Sequence, residues 1–159
     1  MSTFTLSATI KAPQSAVWAV LADTGTMAEW NPGVVISRVT SDRAKGKGAT
    51  RYCQMPGNAF VEERVVEWDP KNRITFRTID SNLPFKTADV HFVLDPRGSA
   101  TLVTVTPEYT LQWGPLGWMM DLLMVRRMYR KGMLGLLAGL KLKVEGRGWK
   151  KPLIHEAAK

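Results

Sequence analysis

The hydrophobic period of the chain changes for good at Gly114-Pro115, and that change dictates the kind of fold available. Before it, apart from two short helical stretches, the pattern is mostly period two, the mark of half-buried strands; after it the period is 3.6, the mark of a helix. The alternation is strictest at Thr3-Phe4-Thr5-Leu6-Ser7-Ala8-Thr9-Ile10, which gives a strand with one apolar and one hydroxyl face. Pro13 then suits the first turn of a helix over residues 13–22, and a second short helix over 26–30 must stop before Asn31-Pro32. Six more strands are expected at 34–41, 48–55, 59–68, 72–79, 86–95 and 100–111, separated by turn-type stretches such as Pro56-Gly57-Asn58 and Asp95-Pro96-Arg97-Gly98. Links this short favour antiparallel neighbours, because parallel ones need long crossovers. The last segment, 116–145, is long enough for one helix of about 30 residues, roughly 45 Å.

The predicted class is therefore α+β: a curved seven-stranded antiparallel sheet wrapped around a long C-terminal helix, with two short helices between the first two strands. On a helical wheel Arg126, Arg127, Arg130, Lys131 and Lys141 fall on one side of the helix. Trp118, Val125, Met128, Tyr129, Gly132, Leu136 and Gly139 fall on the other. Gly132, Gly135 and Gly139 remove side-chain volume there, and five of the eight Met residues lie between Met119 and Met133. Two readings follow: the glycines and adaptable Met side chains leave room for an apolar ligand, or the glycines let the helix approach a filled core.

Charge is distributed unevenly. Residues 1–113 carry 12 basic and 11 acidic side chains, whereas residues 114–159 carry 10 and 3. The basic end can be a solvated helix face or a surface for peripheral contact with an anionic membrane. Nucleic acid is disfavoured, because aromatic residues do not interleave with the basic ones. A single Cys, Cys53, and the lack of an apolar N-terminal stretch or an 18-residue apolar run lead to the expectation of a cytoplasmic protein.

Several stretches carry a resemblance. Residues 10–23 (IKAPQSAVWAVLAD), Glu29-Trp30-Asn31-Pro32-Gly33-Val34, Val65-Val66-Glu67-Trp68-Asp69-Pro70 and Phe92-Val93-Leu94-Asp95-Pro96 resemble the START-like (SRPBCC) helix-grip superfamily. So do Gly98 through Val105 and the helix from Gly117 to Glu145, and within the superfamily the chain is similar to the polyketide cyclase/dehydrase and lipid-transport group. The resemblance implies a START-like ligand-binding domain over residues 1–146, followed by a basic tail, 147–159. It also implies a deep cavity for a hydrophobic small molecule such as a lipid, polyketide or aromatic compound, and no cofactor. Members include aromatase/cyclases, coenzyme Q-binding proteins, lipid carriers and chaperone activators, so the fold leaves the activity open.

No strong catalytic motif is present. His91, His155 and Cys53 lie far apart and in no metal-ligand spacing, so no metal is expected. Lys45-Gly46-Lys47-Gly48-Ala49-Thr50 lacks the order of a phosphate loop, and there is no GxSxG elbow. Glu63 is the candidate acid/base or anchoring residue. It shares a strand face with Val61 and Val65, and Val65 matches the apolar position of the group's motif; the competing register buries Phe60, Glu62, Arg64, Val66 and Trp68 instead. The sheet and short helices are expected to offer Trp30, Tyr52, Glu63, Phe76, Phe92 and Tyr109 to a ligand. The long helix is expected to offer Trp118, Val125, Met128, Tyr129 and Gly132. Asp121, close to the start of the long helix and near its apolar side, is expected to be favoured by the helix dipole, with a ligand contact as the alternative, and His91 is expected to point outward.

Cyclases of this group, as the resemblance implies, orient their substrate with Arg and Tyr side chains. Alternation sends Arg51, Arg73 and Arg77 outward, which argues against that role. The first functional expectation is thus a carrier or sensor that binds an apolar molecule. A cyclase/dehydrase-type enzyme is the second, and a partner-binding module with a filled core the third.

Overall fold

The computed structural model describes residues 1–146; the predicted basic tail, 147–159, lies outside the described residues. Its strands are β1 (Ser2–Thr3), β2 (Leu6–Ile10), β3 (Ile36–Val39), β4 (Thr50–Gln54), β5 (Phe60–Asp69), β6 (Arg73–Ser81), β7 (Phe85–Arg97) and β8 (Ala100–Leu111). Between β2 and β3 lie α1 (Gln14–Leu21), a 3-10 turn (Thr24–Thr26) and α2 (Met27–Trp30). After β8 come α3 (Gly114–Met120), a π-helical stretch (Asp121–Val125) and α4 (Arg126–Val144).

All strand pairs are antiparallel, in the order β1/β2-β8-β7-β6-β5-β4-β3. The sheet thus has the predicted α+β architecture, with the first strand divided in two. β1 and β2 keep one register on β8, Thr3 opposite Glu108 and Leu6 opposite Val105, and Pro107 falls at the gap. Proline has no N–H to give to a ladder. The turn expected at residues 95–98 is tighter than predicted: Arg97 still pairs with Ala100, leaving Gly98-Ser99 as the loop, with Gly98 at φ 62°.

β5 settles the two registers in an unexpected way. Glu63 and Val65 are buried, as the preferred register requires, and Arg64 is exposed. A bulge between Val65 and Glu67 then shifts the strand's phase, so that Trp68 also turns toward the helices and packs edge-on against Trp18 of α1, centroids 5.0 Å apart. Each register therefore holds on one part of the strand.

The C-terminal helix was predicted as one uniform helix, and the π-helical stretch divides it. A wider turn keeps residues spaced by four on one side. Gly117 and Asp121 are buried and Val125 and Tyr129 half-buried on that side, while Leu136, Leu137, Gly139 and Leu140 are buried further along. The leucines join Ile10, Val17, Leu21, Val103 and Val105 in the core. Lys141 Nζ donates to the Thr9 carbonyl (2.5 Å), and the Lys11 N–H donates to Glu145 Oε1 (2.8 Å), fastening α4 to the end of β2.

The glycines do not hollow the interior as their composition suggested. A Cβ on Gly139 would sit 1.9 Å from the Trp30 carbonyl oxygen, so this glycine permits a close approach of α4 to α2. Gly135 faces Pro32, and Gly132 is exposed with nothing within 4 Å of a Cβ position.

Candidate functional site

Arg51 on β4 and Glu63 on β5 are direct cross-strand partners on the face that looks toward the helix. Arg51 was expected to point outward, yet it is buried, in phase with Ala49 and Cys53. Its Nε donates to Glu63 Oε2 (2.8 Å), its Nη2 makes an ion-pair contact with the same oxygen at 2.8 Å, and its guanidinium lies over the Phe76 ring, 3.7 Å from the centroid. Stacking on an aromatic face and a fork onto a carboxylate are the two contacts a guanidinium makes best in low dielectric. Among the described residues Glu63 Oε1 takes no hydrogen bond. Phe76 in turn meets Phe92 edge-on at 6.1 Å.

A second polar group lies where β8 meets the helix. The buried Tyr109 hydroxyl donates to Asp121 Oδ1 (2.5 Å), and Ser2 Oγ donates to Oδ2 of the same carboxylate (2.5 Å). Burial, followed by the hydrogen bond to Asp121, pushes the Tyr109 hydroxyl well above its usual pKa. Asp121, expected either to complement the helix dipole or to touch a ligand, is thus an acceptor for two hydroxyls inside the fold.

Tyr129 packs on Tyr109 and lies within the field of Glu63. Its ring packs with Tyr109 (5.1 Å), Phe85 (5.4 Å) and Phe4 (5.7 Å). Burial raises its pKa first, and the charge of Glu63 raises it further, so the hydroxyl is kept neutral near a carboxylate. It takes no hydrogen bond among the described residues, although the residue is only half-buried. Cys53, beside the pair, has its thiol pushed up to about 11 by burial, with Arg51 opposing and Glu63 adding to the shift.

The structure therefore brings together Glu63, Phe76, Phe92, Tyr109, Val125 and Tyr129 from the predicted set, all packed in or against one core. Trp30 is also buried, beneath Gly139, and its Nε1 has no hydrogen-bond partner. Four predicted positions lie elsewhere. Tyr52 alternates out of phase with Arg51 and stacks on Phe60 (5.6 Å) under Arg38 on the other face of the sheet. Trp118 and Met128 are 65% and 66% exposed: Trp118 precedes the π-helical stretch, which shifts its phase away from the sheet, whereas Met128, like the exposed Gly132, lies at the edge of α4's buried stripe. His91 is half-buried, with Nδ1 3.0 Å from Thr75 Oγ1 and Nε2 3.5 Å from Glu108. Residues missed by the sequence reading are Arg51, Ser2, Phe4 and Phe85. The parity of Ala49-Arg51-Cys53, two small or apolar residues flanking the arginine, was the available signal for Arg51. Among the described residues no cluster of three or more metal-ligating side chains occurs.

A curved antiparallel sheet closed by a C-terminal helix, with an aromatic interior studded by a few paired polar groups, defines the helix-grip class. The family described as polyketide cyclase/dehydrase and lipid transport matches residues 1–145, and the chain belongs to it. Among solved structures, the protein TTHA0849 from Thermus thermophilus superposes with a TM-score of 0.78 at 22% identity, covering 93% of this chain and 100% of that one. The Zhui aromatase/cyclase from Streptomyces sp. R1128 gives 0.76 at 16% identity, with 92% and 94% covered. A START superfamily protein from Mycobacterium smegmatis gives 0.75 at 14% identity, with 92% and 99% covered. These identities establish a shared fold. No curated protein sequence matches the chain.

Proposed function

We propose that the protein binds an apolar small molecule, of the lipid, polyketide or aromatic kind, between its sheet and C-terminal helix, as a carrier or sensor. The observation that carries this reading is the buried Arg51–Glu63 pair set in an aromatic interior. A buried ion pair is rarely worth more to stability than well-packed apolar residues of the same volume, so its presence asks for another use. Glu63 Oε1 and the Tyr129 hydroxyl would meet a polar group at one end of the ligand, while Phe4, Phe85 and Phe76 would cover its apolar body. The indole N–H of Trp30 supports the reading too. A buried donor without a partner costs about 1–3 kcal/mol, which a ligand acceptor would offset.

The test is native mass spectrometry of protein purified from its own source, together with uptake of a fluorescent apolar probe. A co-purifying apolar mass, or saturable probe uptake, supports binding; a bare chain that takes up no probe excludes it.

The second reading, a cyclase/dehydrase-type enzyme, gains from one observation. Arg51 points inward and shares its surroundings with Glu63 and Tyr129, which removes the objection raised by strand alternation. Under this reading a neutral Tyr129 hydroxyl donates to a substrate carbonyl, Arg51 holds developing enolate charge, and Glu63 moves a proton. Glu63→Gln would then abolish turnover of a poly-ketone substrate at a temperature and pH where the variant, although less stable, is folded by circular dichroism. Unchanged turnover would remove Glu63 from the mechanism.

A further inference from the structure

The surface of the C-terminal helix presents what its interior does not explain. Trp113, Leu116, Trp118, Met119, Leu122 and Leu123 are all exposed, Leu123 by 74%. Soluble domains rarely leave so many neighbouring large apolar side chains in water unless the patch meets something. The charges beside it are ordered along the same strips of helix. Trp118, Leu122, Arg126 and Arg130 follow one another at four-residue spacing, as do Met119, Leu123, Arg127 and Lys131, and every one of these is exposed. Each strip runs from apolar to cationic along the axis. The only carboxylate between Gly114 and Val144, Asp121, is buried and occupied by Tyr109 and Ser2.

We infer that this end of the helix docks on an anionic lipid bilayer, the apolar turn from Leu116 to Met124 entering the interface and the arginines and Lys131 resting at the headgroups. Eight residues separate the start of each apolar strip from its first arginine, about 12 Å at 1.5 Å per residue. Interfacial helices bury their apolar part about 5–10 Å into the headgroup boundary, so the spacing fits a shallow insertion. Two copies of the face pressed together would set like charges against each other, whereas an anionic surface complements them. No helix among the described residues is long and apolar enough to cross a membrane, so the contact is peripheral. The inference does not rest on the ligand reading, and either can fail alone.

Co-sedimentation of the full chain with vesicles of phosphatidylcholine, alone or mixed with phosphatidylglycerol, tests it. Wild type is expected to bind the mixed vesicles, with affinity falling as salt rises. Leu122→Asp combined with Leu123→Asp, and separately Arg127→Ala combined with Arg130→Ala, should each weaken binding at least about tenfold at an unchanged thermal midpoint. Equal binding to neutral and anionic vesicles would overturn the proposal, as would full binding by the aspartate variant, which would assign attraction to charge elsewhere, such as residues 147–159. A dimer seen by sedimentation equilibrium that the aspartate variant dissolves, without vesicle binding by wild type, would assign the face to a second copy and overturn it equally.

Discussion

Arg51 and Glu63 face each other across β4 and β5, with two guanidinium nitrogens on one carboxylate oxygen at 2.8 Å and both side chains buried. Removing either partner strands a charge in low dielectric. Glu63→Leu or Arg51→Met alone should therefore destabilise the fold by about 3–5 kcal/mol, whereas the double replacement should be near neutral or stabilising. Denaturant unfolding of the four proteins in a double-mutant cycle measures this. Additive losses in the double variant would mean that the pair is not coupled.

The glycines of the long helix offer a matched contrast. Gly139→Ala drives a methyl into the Trp30 carbonyl and should cost about 3 kcal/mol or more, or prevent folding. Gly132→Ala meets open space and should stabilise by about 0.5–1 kcal/mol, since it only removes freedom from the unfolded chain. Thermal midpoints moving in opposite directions would confirm that Gly139 serves close packing.

Tyr109 and Tyr129 give the fold an alkaline limit. Both hydroxyls are raised in the folded state above their ordinary value of 10.0, chiefly by burial. Below pH 10 both states hold these protons and the stability is fully present; above it the unfolded chain ionises first, so stability is lost as pH rises toward the folded values. Tyr109→Phe and Tyr129→Phe should each flatten the decline above pH 10 in urea titrations, and an unchanged slope would contradict the shift.

Cys53 is the only cysteine of the chain and is buried. With its thiol pushed up to about 11, it holds little thiolate near neutrality. Alkylation of the folded protein at pH 8 should run at least about a hundredfold slower than in denaturant, and slow labelling should track global unfolding. Rapid labelling of the native protein would show that the pair's surroundings open locally.

Much of this fold can be read from period alone, because each strand buries one face and the long helix must cover it. The π-helical stretch could not be read that way. A uniform helical wheel puts Trp118 inside, and the wider turn at Asp121–Val125 turns it out while keeping Asp121 and Tyr129 in; Met128 and Gly132, beyond that turn, fall at the edge of the stripe that Leu136, Leu137 and Leu140 bury. Glu63 was legible because two valines share its face. Arg51 shared the parity of Ala49 and Cys53, but what lets an arginine be buried, its carboxylate on β5 and its aromatic platform on β6, comes from strands distant in sequence. The same holds for Asp121, whose partners Tyr109 and Ser2 are distant in sequence.

The central claim is that Arg51, Glu63 and Tyr129 anchor an apolar ligand inside the fold. Native mass spectrometry of the protein from its own source, beside the Arg51→Met/Glu63→Leu variant produced in the same way, tests it most directly. The account predicts an apolar mass bound to wild type and lost, or reduced at least about tenfold, in the variant. Equal loading of both proteins, or none in wild type, would contradict it.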